Sequence, residues 1–324
     1  MSVFLSSLQK FGYLDRLAMV VCNIGSRKLD SYDDYGSQGW GIFAPRLTIY
    51  GFDADEAACA QANQDLQNRA IAWREHHIPL ALGNRRGLQT LYITKHPMCS
   101  SLYPPNEPYL ARFAGLPELV NLDRTVSIAT TTLDQYCQEQ GISRIDFLQI
   151  DIQGAELDVL TSSPGILSTV LAIQTEVEFA PLYQNQPLFA DVDIFLRSQG
   201  FHLFGLVQTY RHRLNYPLPA DQCLGQVLWG DAFYLRDALA DPMDQPEKIL
   251  KLACIADILG FSDYSLELLV NLTRHHGPSY NFAPMIYDRL SQDSGLVAQG
   301  LENLPVIQAL QEFLEPVLII GGQR

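Results

Sequence analysis

The sequence predicts an α/β fold built around a mainly parallel β-sheet, with a helical segment after it. Short apolar runs alternate with helical patterns between residues 18 and 236, which is typical of repeated strand–helix–strand units. Beyond residue 241 the strand-like runs stop, and helical patterns continue. We therefore expect a seven-stranded sheet in a domain over residues 1–241 and a helical C-terminal extension over residues 242–324.

The first part of the chain supplies three predicted strands. Residues 18–25 and 47–53 are buried-type apolar runs, and a helix begins near Asp55. Asp55 is a suitable N-cap because its carboxylate can accept hydrogen bonds from the first N–H groups of a helix. Residues 78–82 form the third predicted strand. The polar, glycine-rich residues 26–45 are predicted to be a loop.

An insertion follows the third strand. Residues 88–94 and 125–131 have the pattern of a β-hairpin, and a proline-rich loop separates them. We expect this hairpin to cover the edge or the mouth of the sheet. A helix over residues 132–140 ends at Gly141, because glycine readily adopts the left-handed conformation of a helix C-cap.

The second half contains the clearest central strand, residues 145–151, and a helix that opens at once over residues 154–160. The remaining predicted elements are a strand over 171–177, a helix over 188–199, and strands over 201–207 and 227–235. Helical patterns cover 249–259, 266–272 and 304–314 in the predicted extension.

The composition restricts the class of partner. The formal net charge is −14, from 36 acidic and 22 basic residues, and this excess of acid argues against a nucleic-acid partner. No apolar run approaches the roughly 18 residues that a membrane helix needs. The six cysteines are widely scattered without a Cys-x-x-Cys pair, so neither a zinc site nor a disulfide framework is indicated. A cytoplasmic protein is expected.

Three residues at predicted strand ends form a nucleoside-binding pattern. In an open parallel sheet, ligands bind beyond the carboxyl ends of the strands. Gly25 lets backbone N–H groups approach a ligand, Asp53 can accept both ribose hydroxyls, and Asp151 can face the charged amino-acid part of a cofactor. Each also has a simpler explanation, since Gly25 can be a turn glycine and Asp53 or Asp151 a helix cap. Asp55 competes with Asp53 for the ribose.

A dinucleotide site is poorly supported by the same region. That fingerprint needs G-x-G-x-x-G between the first strand and its helix. Here the turn runs from Asn23 to Lys28 and contains one glycine, Gly25. A Walker A lysine motif is also absent.

Two central segments carry a family resemblance. Residues 131–134 (TTLD) and 145–160 (IDFLQIDIQGAELDVL) resemble the signature of FkbM-type methyltransferases. Further similar segments follow the family's order: Tyr50–Asp53 with Asp55, Ala81–Gly83, Ser100–Tyr103, Glu176–Phe179 with Leu182–Tyr183, Gly200–Phe201 and Trp229–Asp231. The resemblance covers residues 18–236 and excludes the C-terminal helices.

The resemblance implies a Rossmann-like class I methyltransferase fold whose last strand is antiparallel. It also implies S-adenosylmethionine (SAM) as cofactor and methylation of a hydroxyl oxygen on a small metabolite, sugar or natural product. The chain departs from the family pattern at Asn23, where the family usually has an acid, and at Gln149 and Gln153, where many members have Lys and Glu.

The candidate site residues follow from both arguments. The cofactor-binding candidates are Asn23, Gly25, Ser26, Asp53, Leu82 and Asp151, with Leu82 near the adenine. The catalytic candidates are Asp151, as base or orienting group, then Glu176, Glu178 and His212.

A divalent metal is compatible with this set, although no pattern indicates one. Glu176 and Glu178 share one face of a strand near Asp151. Pairing of these carboxylates with Lys or Arg is the simpler expectation.

Two other functions stay open. Asn23 and the helical extension, which can pair subunits into a homo-oligomer, are compatible with a methyltransferase-like module that binds without catalysis. An NAD-dependent sugar enzyme is disfavoured by the missing glycines. The sequence does not specify the hydroxyl acceptor.

Overall fold

A computed structural model describes residues 2–27, 39–241, 243–277 and 279–314. Their contacts divide the chain into two compact units. Of the described residues, the sheet unit contains 20–27 and 47–235, and the helical unit contains 2–19, 39–46 and 236–314. The helical unit thus draws on both ends of the chain. The folding-domain boundary at residue 241 stays a prediction, as does most of the loop over residues 26–45, which lies largely outside the described residues.

The strands, in chain order, are β1 (Met19–Ile24), β2 (Leu47–Asp53), β3 (Arg74–Pro79), β4 (Ala81–Leu82), β5 (Gly87–Thr94), β6 (Leu122–Thr131), β7 (Phe147–Ile150), β8 (Ala172–Glu178), β9 (Phe201–Arg211) and β10 (Gln226–Arg236).

The α-helices are α1 (Leu5–Lys10), α2 (Glu56–Arg69), α3 (Glu107–Leu110), α4 (Pro117–Val120), α5 (Leu133–Gln140), α6 (Glu156–Thr161), α7 (Pro164–Leu167), α8 (Phe189–Ser198), α9 (Pro246–Ile258), α10 (Ser262–His276), α11 (Ala283–Leu290), α12 (Ser294–Gln299) and α13 (Pro305–Ala309). No helix within the described ranges is both long and apolar enough to cross a membrane.

The main sheet has seven strands among the described residues, in the order β3-β2-β1-β7-β8-β10-β9. The β2–β3, β1–β7 and β7–β8 pairs are parallel, and β10 runs antiparallel to β8. The strand order reverses between β1 and β7, so the carboxyl ends of these two strands flank a natural ligand crevice. The predicted Rossmann-like, mainly parallel sheet with an antiparallel strand near its end is confirmed.

The predicted hairpin insertion is also confirmed, as part of a second, three-stranded sheet. This sheet has the order β4-β6-β5, in which β5 and β6 are antiparallel. The predicted strand over residues 78–82 is wrong in extent. Ile78 belongs to β3 of the main sheet, whereas Ala81 and Leu82 pair with β6. Pro79 ends β3, since proline has no N–H to donate to a strand ladder.

The helix ends predicted from local signals are confirmed. Asp55 is the N-cap of α2, and its side chain accepts hydrogen bonds from the N–H groups of Ala57 and Ala58. Thr132 caps α5 through the N–H of Gln135, and Gly141 closes that helix in the left-handed conformation, with φ of 67°.

The central strands of the sheet unit are apolar on both faces. Cys22, Ile24, Leu148 and Ile150 are buried in a core cluster on one face of the sheet. Val21 and Phe147, which are paired neighbours on the other face, are buried as well. Burial on both faces is typical of a parallel sheet covered by helices on each side. The core therefore holds the strand ends rigidly beside one another.

In the helical unit, one buried carboxylate organises the chain terminus. Asp257, on α9, is fully buried and accepts hydrogen bonds from the backbone N–H groups of Val3, Phe4 and Leu5 at 2.8, 2.8 and 3.0 Å. Ser262 also donates its hydroxyl to Asp257 at 2.5 Å. Asp257 thus satisfies N–H groups at the start of α1 that have no partner within that helix.

We expect Asp257→Ala to lower the free energy of unfolding by about 3 kcal/mol, because buried N–H groups would lose their charged partner. Urea unfolding followed by circular dichroism measures the change. The matched control is Asp288→Asn, which breaks the exposed Lys10–Asp288 ion pair and is expected to cost less than about 1 kcal/mol. Equal losses in the two variants would contradict this role for Asp257.

Candidate active site

A cavity of about 450 Å³ lies at the carboxyl ends of β1, β2 and β7 in the sheet unit. This volume is within the roughly 300–1,000 Å³ range of small-molecule sites. Four of the predicted site residues line it: Gly25, Asp53, Leu82 and Asp151. The structure therefore brings together the three strand ends that the sequence argument depends on.

Gly25 makes the close approach between β1 and β7 sterically feasible. Its φ is +87°, and a Cβ added there would lie 1.9 Å from the carbonyl oxygen of Asp151. The N–H groups of Gly25 and Ser26 both donate to the carbonyl of Phe52 at 2.9 Å. The N–H of Asp151 donates to the carbonyl of Ile24 at 2.9 Å. Three strand ends are thereby joined through backbone atoms, and any side chain at residue 25 would disrupt the junction.

The two neighbouring aspartates have different roles. Asp55 is occupied as the N-cap of α2 and also pairs with Arg27. Asp53 lines the cavity and accepts the N–H of Asp55 on Oδ1 at 2.8 Å. Burial raises the pKa of Asp53 above its usual value, and the nearby Arg27 guanidinium opposes this rise. Asp55 also lines the cavity, but both of its carboxylate oxygens already accept hydrogen bonds. Asp53 is therefore the better placed of the pair to accept hydrogen bonds from a ligand.

Ser26 and Asn23 lie behind the cavity wall and do not line it. Ser26 is buried, and its Oγ is 3.0 Å from Nδ1 of His77. Nε2 of His77 in turn lies 3.1 Å from Oε1 of Glu75. Asn23 is buried within β1, in register with Gln149. Ser26 thus connects the Gly25 turn to the edge strand β3.

Sequence reasoning missed His77, although one signal for it was present. A Cβ on Gly51 would lie 2.6 Å from Nδ1 of His77 and 2.7 Å from Oγ of Ser26. A glycine in the middle of a strand often marks such a close approach.

The hairpin sheet supplies an apolar wall that the sequence did not identify. Leu82 of β4 is joined there by side chains of β5, β6 and the loop between them: Leu91, Ile93, Met98, Leu102, Val126 and Ile128. Leu91 and Ile93 are two apart, as are Val126 and Ile128, so each pair shares one face of its strand. That face is the cavity lining.

Gln153 bridges two carboxylates on the opposite side of the cavity. Its Nε2 donates to Oδ1 of Asp151 at 2.9 Å and to Oε2 of Glu176 at 2.6 Å. The Tyr183 hydroxyl lies 2.9 Å from Oε1 of Gln153 and 2.8 Å from the carbonyl oxygen of Cys99, and the Ser101 hydroxyl donates to the Gln153 carbonyl at 2.6 Å. Gln153 also has a positive φ of 60°. The sequence marked Gln153 as a departure from the family pattern without assigning it this position.

Glu176 and Glu178 are not part of the cavity lining, but Gln153 links Glu176 to Asp151. Desolvation, followed by the charges of Asp151 and Glu178, raises the pKa of Glu176 well above its usual value. Burial and the charges of Glu156 and Asp151 do the same for the pKa of Glu178. Burial raises the pKa of Glu156 to about 8, although the N–H of Ile152 donates to its Oε1 at 2.7 Å.

The structure does not place His212 in the cavity with Gly25, Asp53 and Asp151. It follows the end of β9 and is not among the residues that line the cavity. Its Nε2 is 2.8 Å from the carbonyl oxygen of Cys223, and its ring stacks on Tyr216.

Comparison with known proteins identifies a family to which part of the chain is similar. Residues 44–203 match the family model described as the methyltransferase FkbM domain. A curated relative, the 2-O-methyltransferase NoeI of Sinorhizobium fredii (strain NBRC 101917 / NGR234), is 28% identical over an alignment of 162 positions that covers 46% of this chain and 62% of the relative. The chain thus matches less than two thirds of that relative's length.

Two solved structures show weaker similarity. The methyltransferase FkbM from Methylobacillus flagellatus KT is 13% identical with a TM-score of 0.38, over 67% of this chain and 43% of that chain. An rRNA methylase from Streptococcus thermophilus is 11% identical with a TM-score of 0.31, over 69% of this chain and 90% of that chain. The fold assignment rests on the strand order described above.

We expect Gly25→Ala to lower the free energy of unfolding by about 3 kcal/mol or more, because it combines a backbone clash with a strained φ. Gly141→Ala is the matched control, since Gly141 also has a positive φ but has no atom within 4 Å of an added Cβ. The control is expected to lose about 1 kcal/mol. Urea unfolding of both variants decides the matter, and similar losses would show that the contact with Asp151 is unimportant.

Proposed function

We propose that this chain, whose residues 44–203 belong to the FkbM methyltransferase family, transfers the methyl group of SAM to a hydroxyl oxygen of a small molecule. The observation that carries the proposal is the cavity that gathers Gly25, Asp53 and Asp151 at adjacent strand ends. The similarity to a 2-O-methyltransferase supports oxygen as the acceptor atom. A metabolite, a sugar or a natural product would suit a cavity of this size.

The residues present fit the nucleoside part of SAM. Gly25 lines the cavity, and its close contact with the Asp151 carbonyl keeps the ends of β1 and β7 together beside it. Its N–H group is engaged by the Phe52 carbonyl, so the expectation that this N–H faces a ligand is wrong. Asp53 offers a carboxylate that can accept two hydroxyl hydrogen bonds from a ribose, and such charge-assisted bonds are the stronger kind. Leu82 and the apolar hairpin residues offer a surface for a flat aromatic base.

The chemistry divides between cofactor and protein. When bound, SAM supplies an electrophilic methyl group on a positively charged sulfur. The protein has to hold the acceptor oxygen in line with that group and to receive the proton of the hydroxyl. Asp151 lines the cavity, and Nε2 of Gln153 orients its carboxylate by donating a hydrogen bond to Oδ1. We assign Asp151 the role of accepting the hydrogen bond of the acceptor hydroxyl, as orienting group or as base.

We expect Asp53→Asn to weaken binding of S-adenosylhomocysteine about 10- to 100-fold, because it removes charge-assisted hydrogen bonds to the ribose. Isothermal titration calorimetry measures this, with the exposed Asp65→Asn as a control for loss of one negative charge. The wild-type affinity should fall as the pH drops through the pKa of Asp53, which is raised, so the fall begins at a higher pH than for an ordinary aspartate. Asp53→Asn should lack this pH dependence.

Two results would contradict the cofactor assignment. Wild-type protein that binds neither SAM nor S-adenosylhomocysteine at about millimolar concentration would exclude the enzyme, since cofactor sites are normally far tighter. An Asp53→Asn variant with wild-type affinity would exclude the ribose contact.

We expect Asp151→Asn to remain folded and to lose about 10²- to 10⁴-fold in turnover, which is the usual contribution of a proton-transfer group. The assay follows formation of S-adenosylhomocysteine with a panel of hydroxylated sugars and metabolites, and mass spectrometry identifies the methylated product. Asp65→Asn should match the wild type. Unchanged turnover in Asp151→Asn would discard its role, and cofactor binding without transfer to any acceptor would favour a non-catalytic module.

A further inference from the structure

Four carboxylates, which we call the acidic cluster, meet beside the cavity: Asp151, Glu156, Glu176 and Glu178. Asp151 follows β7, Glu176 and Glu178 lie on β8, and Glu156 begins α6. Asp151, Glu156 and Glu176 each offer a carboxylate oxygen, and these oxygens all lie within 4.8 Å of one another. Such close packing of like charges is unfavourable unless protons or a cation neutralise them.

No basic side chain of the described residues compensates the charge of the acidic cluster. Within the part of the chain that the structure describes, none of its four members forms an ion pair with Lys, Arg or His. Glu156 and Glu178 are only 2% and 3% exposed, so water solvates their charges poorly. The sequence-based expectation that Glu176 and Glu178 pair with Lys or Arg is therefore wrong for the described residues.

Glu178 supplies a second, independent observation. Its Oε1 is buried and has no hydrogen-bond partner within the described chain. Glu178 lies two residues from Glu176 on the same face of β8, and its charge interacts with those of Glu156 and Asp151. A buried carboxylate oxygen without a donor is costly, and a cation held by Asp151, Glu156 and Glu176 would offset the negative charge beside it.

The neighbouring polar groups leave oxygens free for such a ligand. Gln153 donates to one oxygen of each of two carboxylates, Oδ1 of Asp151 and Oε2 of Glu176. The N–H of Ile152 takes one oxygen of Glu156. Because Nε2 of Gln153 donates to both carboxylates, the Gln153 amide has a fixed orientation. The bridge therefore positions two carboxylates without using all of their oxygens.

We propose that the acidic cluster binds one divalent cation of the Mg²⁺, Mn²⁺ or Ca²⁺ type. These ions prefer oxygen ligands at about 2.0–2.6 Å, so two ligand oxygens on opposite sides of one ion are about 4–5 Å apart. The 4.8 Å limit among the oxygens of Asp151, Glu156 and Glu176 agrees with this spacing. The cluster contains neither thiol nor imidazole, which disfavours zinc and copper. The site is defined without reference to SAM and does not rest on the proposed methyl transfer.

The test is direct metal binding to the full chain after treatment with EDTA. We expect electron paramagnetic resonance to show one bound Mn²⁺ per chain with a dissociation constant below about 1 mM, and calorimetry to show competition by Mg²⁺ or Ca²⁺. Bound Mn²⁺ should also raise the melting temperature, because a ligand of the folded state stabilises it. No bound Mn²⁺ at about 10 mM, with the carboxylates neutralised by protons alone, would overturn the proposal.

Variants distinguish cation binding at this site from nonspecific attraction of cations to a protein with a net charge of −14. Glu176→Gln should weaken Mn²⁺ binding about 10-fold or more. Glu139→Gln removes the same charge from an exposed position and should leave binding unchanged. If circular dichroism shows Glu176→Gln to be unfolded, Glu156→Gln replaces it with the same expectation. Equal affinity in the wild type and a folded cluster variant overturns the proposal.

Calorimetry with S-adenosylhomocysteine in EDTA distinguishes the two proposals. Cofactor binding without any Mn²⁺ binding rejects only the metal site. Mn²⁺ binding without cofactor binding rejects only the proposed methyl transfer.

Discussion

The site depends on the contact between Gly25 and the carbonyl oxygen of Asp151. It allows β1 and β7 to end side by side, at the point where the strand order reverses. The same turn donates two N–H groups to Phe52, which brings the end of β2, and with it Asp53, to the same place. The cavity, its ribose-type carboxylate and its candidate proton acceptor therefore all follow from one position where only hydrogen fits.

Charge is unevenly distributed around this cavity. Arg27 lies among Asp53 and Asp55 at one end, and Arg124 also lines the wall. At the other end the carboxylates have amide and hydroxyl neighbours in place of basic ones. Uncompensated buried acids reduce folding stability, and their pKa values are shifted as is typical of functional sites. The arrangement favours ligands that are cationic where they meet Asp151.

Signals confined to a few residues were sufficient to predict much of the fold. The apolar run of β2, the Asp55 and Thr132 caps and the Gly141 end each depend on neighbours in sequence. The start of β3 was missed, because Arg74 to His77 are polar and acquire strand structure only by pairing with β2.

The site was predictable only where it depends on the ends of the parallel strands. Gly25, Asp53 and Asp151 were found because parallel strands end at one edge of the sheet. Gln153 and the hairpin wall depend on how the insertion packs over that edge, which no local pattern encodes. His212 was misplaced because β9 extends to Arg211 and carries the following residue away from the cavity.

The cavity is assembled from two separate sheets, with consequences for how such a protein diversifies. The ladder between β5 and β6 holds the apolar wall together independently of the strands that carry Asp53 and Asp151. Mutations that reshape the hairpin can therefore accumulate during evolution while the reactive groups remain in register. A lineage built on this plan can acquire new acceptors by remodelling one small sheet and inherit its chemistry unchanged.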